Sequence, residues 1–505
     1  MTDAQRAAPR RAHLTGRQWA ALAVLVLPVL LISVDMTVLG FAVPFLSEDL
    51  APTSSQLLWI VDVYGFVLAG LLVTMGSIAD RVGRRRLLTI GAAAFAIASV
   101  AAAYAPNAEA LIAARALLGV AGATLMPTTL ALMRNLFTDD RQRLFAIAVW
   151  GTGFSAGSAA GPILGGWLLE HFWWGSVFLM AAPVSIAVLV AAPLLLPESR
   201  NARPGPVDWG GVVLSFIAMF PFVYGVKRFA EHGPSVIAVV AICVGLASAW
   251  LFVRRQRRLE YPLIDMSLFR LRRFSASIGT NFMTVFVLIS SLFLLTQYLQ
   301  LVLDYSPMRA GLLLLPGMAM SITAGLVAVR LSERFGLVAI IVGGFVFMVV
   351  GSAALGFVGV DSGALLVVVS FVIVSTGVGM VQTVTNDAII AAAPTERAGA
   401  AAAISETAYE LGGAMGVAVL GSLATGIYRG EMGDAPDGAP ETAKETLGEA
   451  AHVADTLPAG TGEALMDAAR AAFTDGLRTT SITGAVLIAV ALVVIGRALR
   501  SRTAR

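Results

Sequence analysis

Leu25-Val26-Leu27-Pro28-Val29-Leu30-Leu31-Ile32-Ser33-Val34-Asp35-Met36-Thr37-Val38-Leu39 is an apolar run with a single carboxylate near its centre. A bilayer core about 30 Å thick needs roughly 20 apolar residues per helix, and this run extends on both sides into a span over residues 19–43. An ionised Asp at mid-bilayer costs roughly 2.5–3.5 kcal/mol on insertion scales, so such a residue usually faces a bundle interior or a water-filled cavity. Asp35 is therefore a candidate working group. Permanent pairing with a neighbouring helix and a carboxyl kept neutral are the alternatives at this point. Arg6, Arg10, Arg11 and Arg17 precede the run as they would in a signal peptide, but no small-residue cleavage site follows, and the segment reads as a retained first helix.

The rest of the chain has the same character. Hydrophobic residues make up 57 % and charged residues 13 %, where soluble domains carry about 25 % charged residues. This is the composition of a polytopic membrane protein. One cysteine, Cys243, excludes a disulfide framework, and four scattered histidines give no metal-binding pair. No G-x-x-x-x-G-K-[ST] loop or nucleophile–base arrangement is found, so an ATP-driven pump and an enzyme are both disfavoured, and neither a cofactor nor a nucleic-acid partner is expected.

Fourteen candidate spans run from 19–43 to 480–499, among them 143–169 and 399–427. They divide the chain into a tail 1–18, a six-helix half 19–196, an inserted pair 209–253, a basic linker 254–275, a second six-helix half 276–499 and a tail 500–505. Arginines crowd the loops on the N-terminal side, at 81–86, 134–143, 200–203, 254–273, 330–334 and 397, and again after 497; the opposite loops are short or acidic. The bias places both termini in the cytoplasm. The long connection 428–479 carries ten acidic against four basic residues, a net of −6. It reads as a solvated extracellular cap in which Thr442–Ala451 and Gly462–Phe473 form short surface helices. Ala79-Asp80-Arg81-Val82-Gly83 after the second span is echoed by Ser332-Glu333-Arg334-Phe335-Gly336 after the tenth, which suggests two related halves.

Several groups carry chemistry within the spans. Asp62 shares a helical face with Trp59 and Phe66, a cradle for a lipophilic cation that combines charge attraction with cation–π contacts. Glu406 and Glu410 stand one turn apart, and two carboxylates so close repel. Asp387, near Gln382 and Asn386, is a further candidate at the end of its span. Gly157, Gly161 and Gly165 make a smooth strip with Pro162 bending the helix, which suits a rocking interface or seal and equally ordinary close packing. Arg115 could pair with a carboxylate or snorkel to a membrane face. In Gly76–Arg86, Gly83 permits a positive-φ turn or close packing, while Asp80 can pair with an arginine or cap the following helix.

The motifs also carry a resemblance. Gly76-Ser77-Ile78-Ala79-Asp80-Arg81-Val82-Gly83-Arg84 resembles the loop signature of the major facilitator superfamily. Asp35–Pro44 resembles the first-helix signature of its fourteen-span drug:proton antiporters, with Gly40 where Asn is common. Arg115–Gly122 and Gly157–Gly166 resemble their fourth- and fifth-helix motifs. The likeness is strongest to the quaternary-ammonium multidrug efflux proteins. It implies an all-α membrane bundle of two six-helix halves plus two inserted helices, functional as a monomer in the bacterial plasma membrane. It also implies export of cationic drugs such as dyes, quaternary ammonium biocides and fluoroquinolones, driven by the proton gradient. Asp35, Arg115 and Glu410 would then couple protons, while Asp35, Trp59, Asp62, Phe66, Glu406 and Glu410 would bind substrate. Gly76, Asp80, Arg81, Gly83, Arg84, Gly157, Gly161, Pro162 and Gly165 would serve conformational change. An exporter of one endogenous metabolite or self-made antibiotic is the alternative on the same scaffold.

Overall fold

The computed structural model describes residues 15–137, 139–200, 206–392, 398–434 and 440–500; most of both expected tails, together with Arg203 and Arg397, lies outside them. The first half comprises α1 (Gly16–Leu50), α2 (Ser54–Val82), α3 (Arg84–Ala103), α4 (Ala108–Leu136), α5 (Asp140–His171) and a broken sixth span, α6 (Ser176–Leu179) and α7 (Ala181–Leu195). The inserted pair is α8 (Trp209–His232) and α9 (Val236–Gln256). The second half contains α10 (Arg272–Gln297), α11 (Pro307–Phe335), α12 (Leu337–Leu355) and α13 (Gly363–Ala392). It continues with α14 (Ala398–Gly416), which passes through a π turn at Val417–Gly421 into α15 (Ser422–Glu431), then α16 (Leu447–Thr456) and α17 (Ala459–Arg500).

The helices begin where the sequence supplies caps. Thr15 with Gln18 and Thr53 with Gln56 form capping boxes, and Asn107, Ser235 and Ser306 accept from backbone N–H groups three residues on. Among the described residues, thirteen helices are long and apolar enough to cross a membrane. The expected span 143–169 lies in α5, which is 32 residues long but falls outside that set and carries six glycines.

The two halves repeat one packing plan. In the first, α1 lies on α5, α2 and α3 on α4, and α3 on α7; in the second, α10 lies on α14, α11 and α12 on α13, and α12 on α17. The halves meet through α5 with α11 and α2 with α14, which are equivalent pairs under the repeat. Gly83 (φ +113°) and Gly336 (φ +81°) end α2 and α11 in the same way, each N–H donating to the carbonyl four residues back. Asp80 pairs with Arg84 at 2.9 Å. The cap of α3 comes instead from Glu198, which accepts from the N–H groups of Arg85 and Arg86 and so ties α7 to this turn. An alanine at 83 would need a strained positive φ and would set its Cβ 2.7 Å from Glu198 Oε1. Gly83→Ala is expected to cost roughly 1–2 kcal/mol, read as a lowered thermal midpoint of the detergent-solubilised protein.

The inserted helices α8 and α9 pack on each other as a hairpin, with α8 against α2 and α15, and the pair is largely exposed, with 17 % of the most apolar stretch of α9 buried against 72 % for α1. Apolar side chains facing outward over most of its length fit a lipid-facing position. The acidic connection differs from expectation. Helix α15 runs to Glu431 and α17 begins at Ala459, so Gly462–Phe473 is the first part of a 42-residue helix rather than a separate surface helix. The segment between them is pinned rather than loosely solvated. Glu445 pairs with Arg429 at 2.7 Å and accepts from Ser54 N at 3.1 Å, and the Tyr428 hydroxyl donates to Ala443 O. Gly448 packs on Ser47, and Glu449 is only 6 % exposed. This segment thus straps the second half to the ends of α1 and α2. Burial raises the Glu449 carboxyl above the usual carboxylate range, against the opposing charge of His452.

Candidate functional site

The glycine strip of α5 positions the first functional group. A Cβ at Gly157 or Gly161 would overlap the Ser33 or Thr37 hydroxyl of α1, and at Gly165 it would reach Val38 at 3.2 Å. The strip therefore serves close packing inside the first half, against the two turns of α1 that flank Asp35. The seam between halves uses the adjoining face. There a Cβ at Gly311 would come 2.6 Å from Pro162 O, and one at Gly166 would come 2.5 Å from Met308 Cα.

Asp35 and Arg115 meet deep in the first half, with Arg115 Nη1 donating to Asp35 Oδ2 at 2.7 Å. Arg115 is 1 % exposed, its Nε donates to Ile60 O at 3.1 Å, and its guanidinium lies 4.7 Å from the Tyr64 ring centroid. It does not snorkel. Gly119, one turn on, allows this approach, since a Cβ there would sit 2.7 Å from Tyr64 O.

Arg115 lines a cavity of about 50 Å³ between the halves, together with Thr37 and Gly40 of α1, Asp62 and Tyr64 of α2, Phe293 of α10 and Glu410 of α14. Glu410 is fully buried, and neither of its carboxylate oxygens has a hydrogen-bond partner among the described residues. A buried carboxylate without a partner is costly. A cavity of this size exceeds the ~10–15 Å³ that one water requires, so water can satisfy the group and connect it to Arg115. A second cavity of about 110 Å³ shares Thr37, Ile289 and Leu292 with the first and is lined by Ser158, Ser321, Ser375, Gln382 and Tyr409. Phe154 and Tyr409 meet edge to face across it at 5.4 Å.

The remaining expected groups separate. Glu406, one turn from Glu410, does not line the first cavity. Asp387 is exposed and lines a surface cavity of about 480 Å³ with Arg273 and Ser332, at the end of the bundle that carries the Gly83 and Gly336 turns. Trp59 and Phe66 share a face as expected, with ring centroids 6.5 Å apart, but the cradle they form with Asp62 is already filled. Lys227 of α8 places Nζ 3.0 Å from Asp62 Oδ2 and 3.8 Å from the Trp59 ring centroid. Lys227 was missed from the sequence, although an ammonium within the expected span 209–229 is itself a signal that a partner awaits it. Tyr64, which lines the same cavity, was missed as well, since its place on an apolar helix gives no sign of the guanidinium that packs on its ring. Among the described residues no group of three or more His, Cys, Asp or Glu side chains is placed to hold a metal ion.

The profile of the Major Facilitator Superfamily matches residues 25–417. The multidrug efflux pump LfrA of Mycolicibacterium smegmatis is 50 % identical over 97 % of this chain and 98 % of that protein. The methyl viologen resistance protein SmvA of Salmonella typhimurium is 36 % identical over 90 % and 93 %. The tetracenomycin C resistance and export protein of Streptomyces glaucescens is 32 % identical over 95 % and 91 %. Among solved structures, a bacterial homologue of the human lysosomal transporter Spinster, in an inward-facing and unoccupied conformation, aligns with a TM-score of 0.66 at 16 % identity, covering 97 % of this chain and 98 % of that one.

Proposed function

The chain belongs to the Major Facilitator Superfamily, and from that premise we propose that it is a proton-coupled exporter of lipophilic organic cations working by alternating access. As a member of this family it is a multi-pass membrane transporter of small molecules, not an enzyme. The observation that carries the finer reading is the buried Asp35–Arg115 pair beside the unpartnered Glu410, around a water-sized cavity between the halves. A carboxylate exchanging its Arg115 partner for a proton changes the charge of the cavity wall by one. An organic cation and a proton then become competing ways of neutralising the same acids. Protons arriving from outside release the cation outward, and their loss to the cytoplasm resets the site.

Helices α2 with α14 and α5 with α11 are the equivalent seams on which the halves would rock. The tight approaches at Gly65 with Ala414, Gly166 with Met308 and Gly421 with Leu58 run from mid-bundle to the end that bears the 440–457 strap. With the arginine-rich loops cytoplasmic, that end is the outer one, and the conformation is closed to the outside. In this reading both termini are cytoplasmic and the functional unit is a single chain. Multidrug efflux and methyl viologen resistance in the names of the first two relatives support cationic cargo.

The test is ethidium efflux from cells expressing the protein, with and without an uncoupler that collapses the proton gradient. Efflux abolished by the uncoupler is the expected result, and a correctly inserted protein that moves no ethidium overturns the broad-cation reading. Similarity to the tetracenomycin C exporter favours a second reading, export of one self-made antibiotic, which predicts resistance to a single compound across a panel of drugs.

A further inference from the structure

The occupant of the Trp59–Asp62 cradle is the chain's own ammonium, carried by the helix pair that stands outside the two halves. Lys227 is 1 % exposed and Asp62 2 % exposed, and Nζ also donates to Asp62 Oδ1 at 3.2 Å. Asp62 lines the central cavity as well, so one carboxylate is reached from the chamber on one side and from α8 on the other. Both oxygens of Asp62 therefore lie within 3.2 Å of the one ammonium. An aromatic wall adjoins the pair. Trp59 stacks on Phe220 at 5.7 Å and 7°, and Phe66 lies 6.3 Å from the same ring.

Past this wall, an apolar cavity of about 380 Å³ opens between α2, α8, α9 and α14, walled by Gly70, Val73, Met219, Phe222, Leu411 and Met415. Gly70 lies eight residues beyond Asp62, about 12 Å along the helix. Small-molecule pockets begin at about 300 Å³, so this cavity admits a drug-sized body where the central one of about 50 Å³ does not.

We infer that Asp62, Trp59 and this lateral cavity form a subsite for a lipophilic monocation, and that Lys227 is a tethered ammonium competing for the position of its charged head. The ring face and carboxylate that hold Nζ are the groups an organic cation would use, and the apolar cavity takes the body of the ligand. The inserted pair thereby sets how readily the site accepts substrate, because α8 has to withdraw its ammonium before another cation can enter. This inference rests on the cation-export reading and deepens it.

The experiment is equilibrium binding of ethidium, followed by its fluorescence, to the purified full chain and to Lys227→Met and Trp59→Leu. Lys227→Met is expected to bind ethidium about tenfold more tightly through loss of the competing ammonium, and Trp59→Leu about thirtyfold more weakly, the factor to which a desolvated cation–π contact corresponds. Affinity in folded Lys227→Met that is equal to or below the wild type overturns the inference. Where Lys227→Met does not fold, unchanged affinity in Trp59→Leu overturns it instead. A wild type that neither binds nor exports ethidium defeats the cation-export reading and this inference with it. A wild type that exports ethidium while both variants bind it unchanged defeats this inference alone.

Discussion

Asp35→Asn is expected to abolish uncoupler-sensitive ethidium efflux while the protein still reaches the membrane in normal amounts, and Arg115→Met is expected to be strongly destabilised. The two partners of one ion pair differ because of what each leaves behind. An asparagine at 35 still accepts the Arg115 Nη1 hydrogen bond that Asp35 Oδ2 accepts at 2.7 Å, so the buried guanidinium keeps an acceptor there as well as Ile60 O. What disappears is the ability to alternate between a proton and Arg115. A methionine at 115 fills the volume but strands the Asp35 carboxylate at 6 % exposure. Removing one partner of a buried pair costs about 3–5 kcal/mol, whereas replacing both by apolar groups is often neutral. The double variant Asp35→Leu/Arg115→Met should therefore regain much of the thermal stability lost in Arg115→Met without regaining transport. Measurement of detergent thermal midpoints alongside cell efflux separates these effects. Proton-driven efflux retained in Asp35→Asn would remove Asp35 from the coupling path.

Gly166→Val should trap the transporter rather than unfold it. Gly166 faces α11 across the seam between halves, where even a Cβ would lie 2.5 Å from Met308 Cα and 2.8 Å from Met308 N. Those are backbone atoms and cannot rotate away. The neighbouring Met308 N–H donates to Glu170 Oε1 at 3.2 Å, which fixes α11 further at this point. Since the crowding lies between two rigid halves, it is relieved by parting them at this end, the movement required for opening to the other side. The expected outcome is efflux reduced at least tenfold, with faster modification of a cysteine placed at Ser54, beneath the strap, in a Cys243→Ser background. A side chain at Gly161, by contrast, would clash inside the first half with Thr37, and its expected cost appears in stability first. Equal cysteine reactivity in Gly166→Val and its parent would show that the seam adapts locally.

How far the sequence reached depends on the range over which each signal acts. An apolar run long enough to cross a bilayer with one acid at position 35, the further apolar runs along the chain and the paired turns at Gly83 and Gly336 are local patterns. Burial in lipid demands them residue by residue, so the helical bundle and its twofold repeat were legible. Asp35 and Glu410 could be singled out because an acid in such a run is conspicuous wherever the helix ends up. The partners were a different matter. That Arg115 reaches Asp35, that Lys227 fills the cradle of Asp62, that Glu198 rather than Asp80 caps α3 and that Glu445 holds Ser54 all depend on distances between helices far apart in sequence. Helical periodicity states which residues share a face, not which helix that face will meet. The glycine strip shows this most plainly, for its spacing announced a close approach, while only the packed bundle made the partner α1 and left the seam between halves to Pro162 and Gly166.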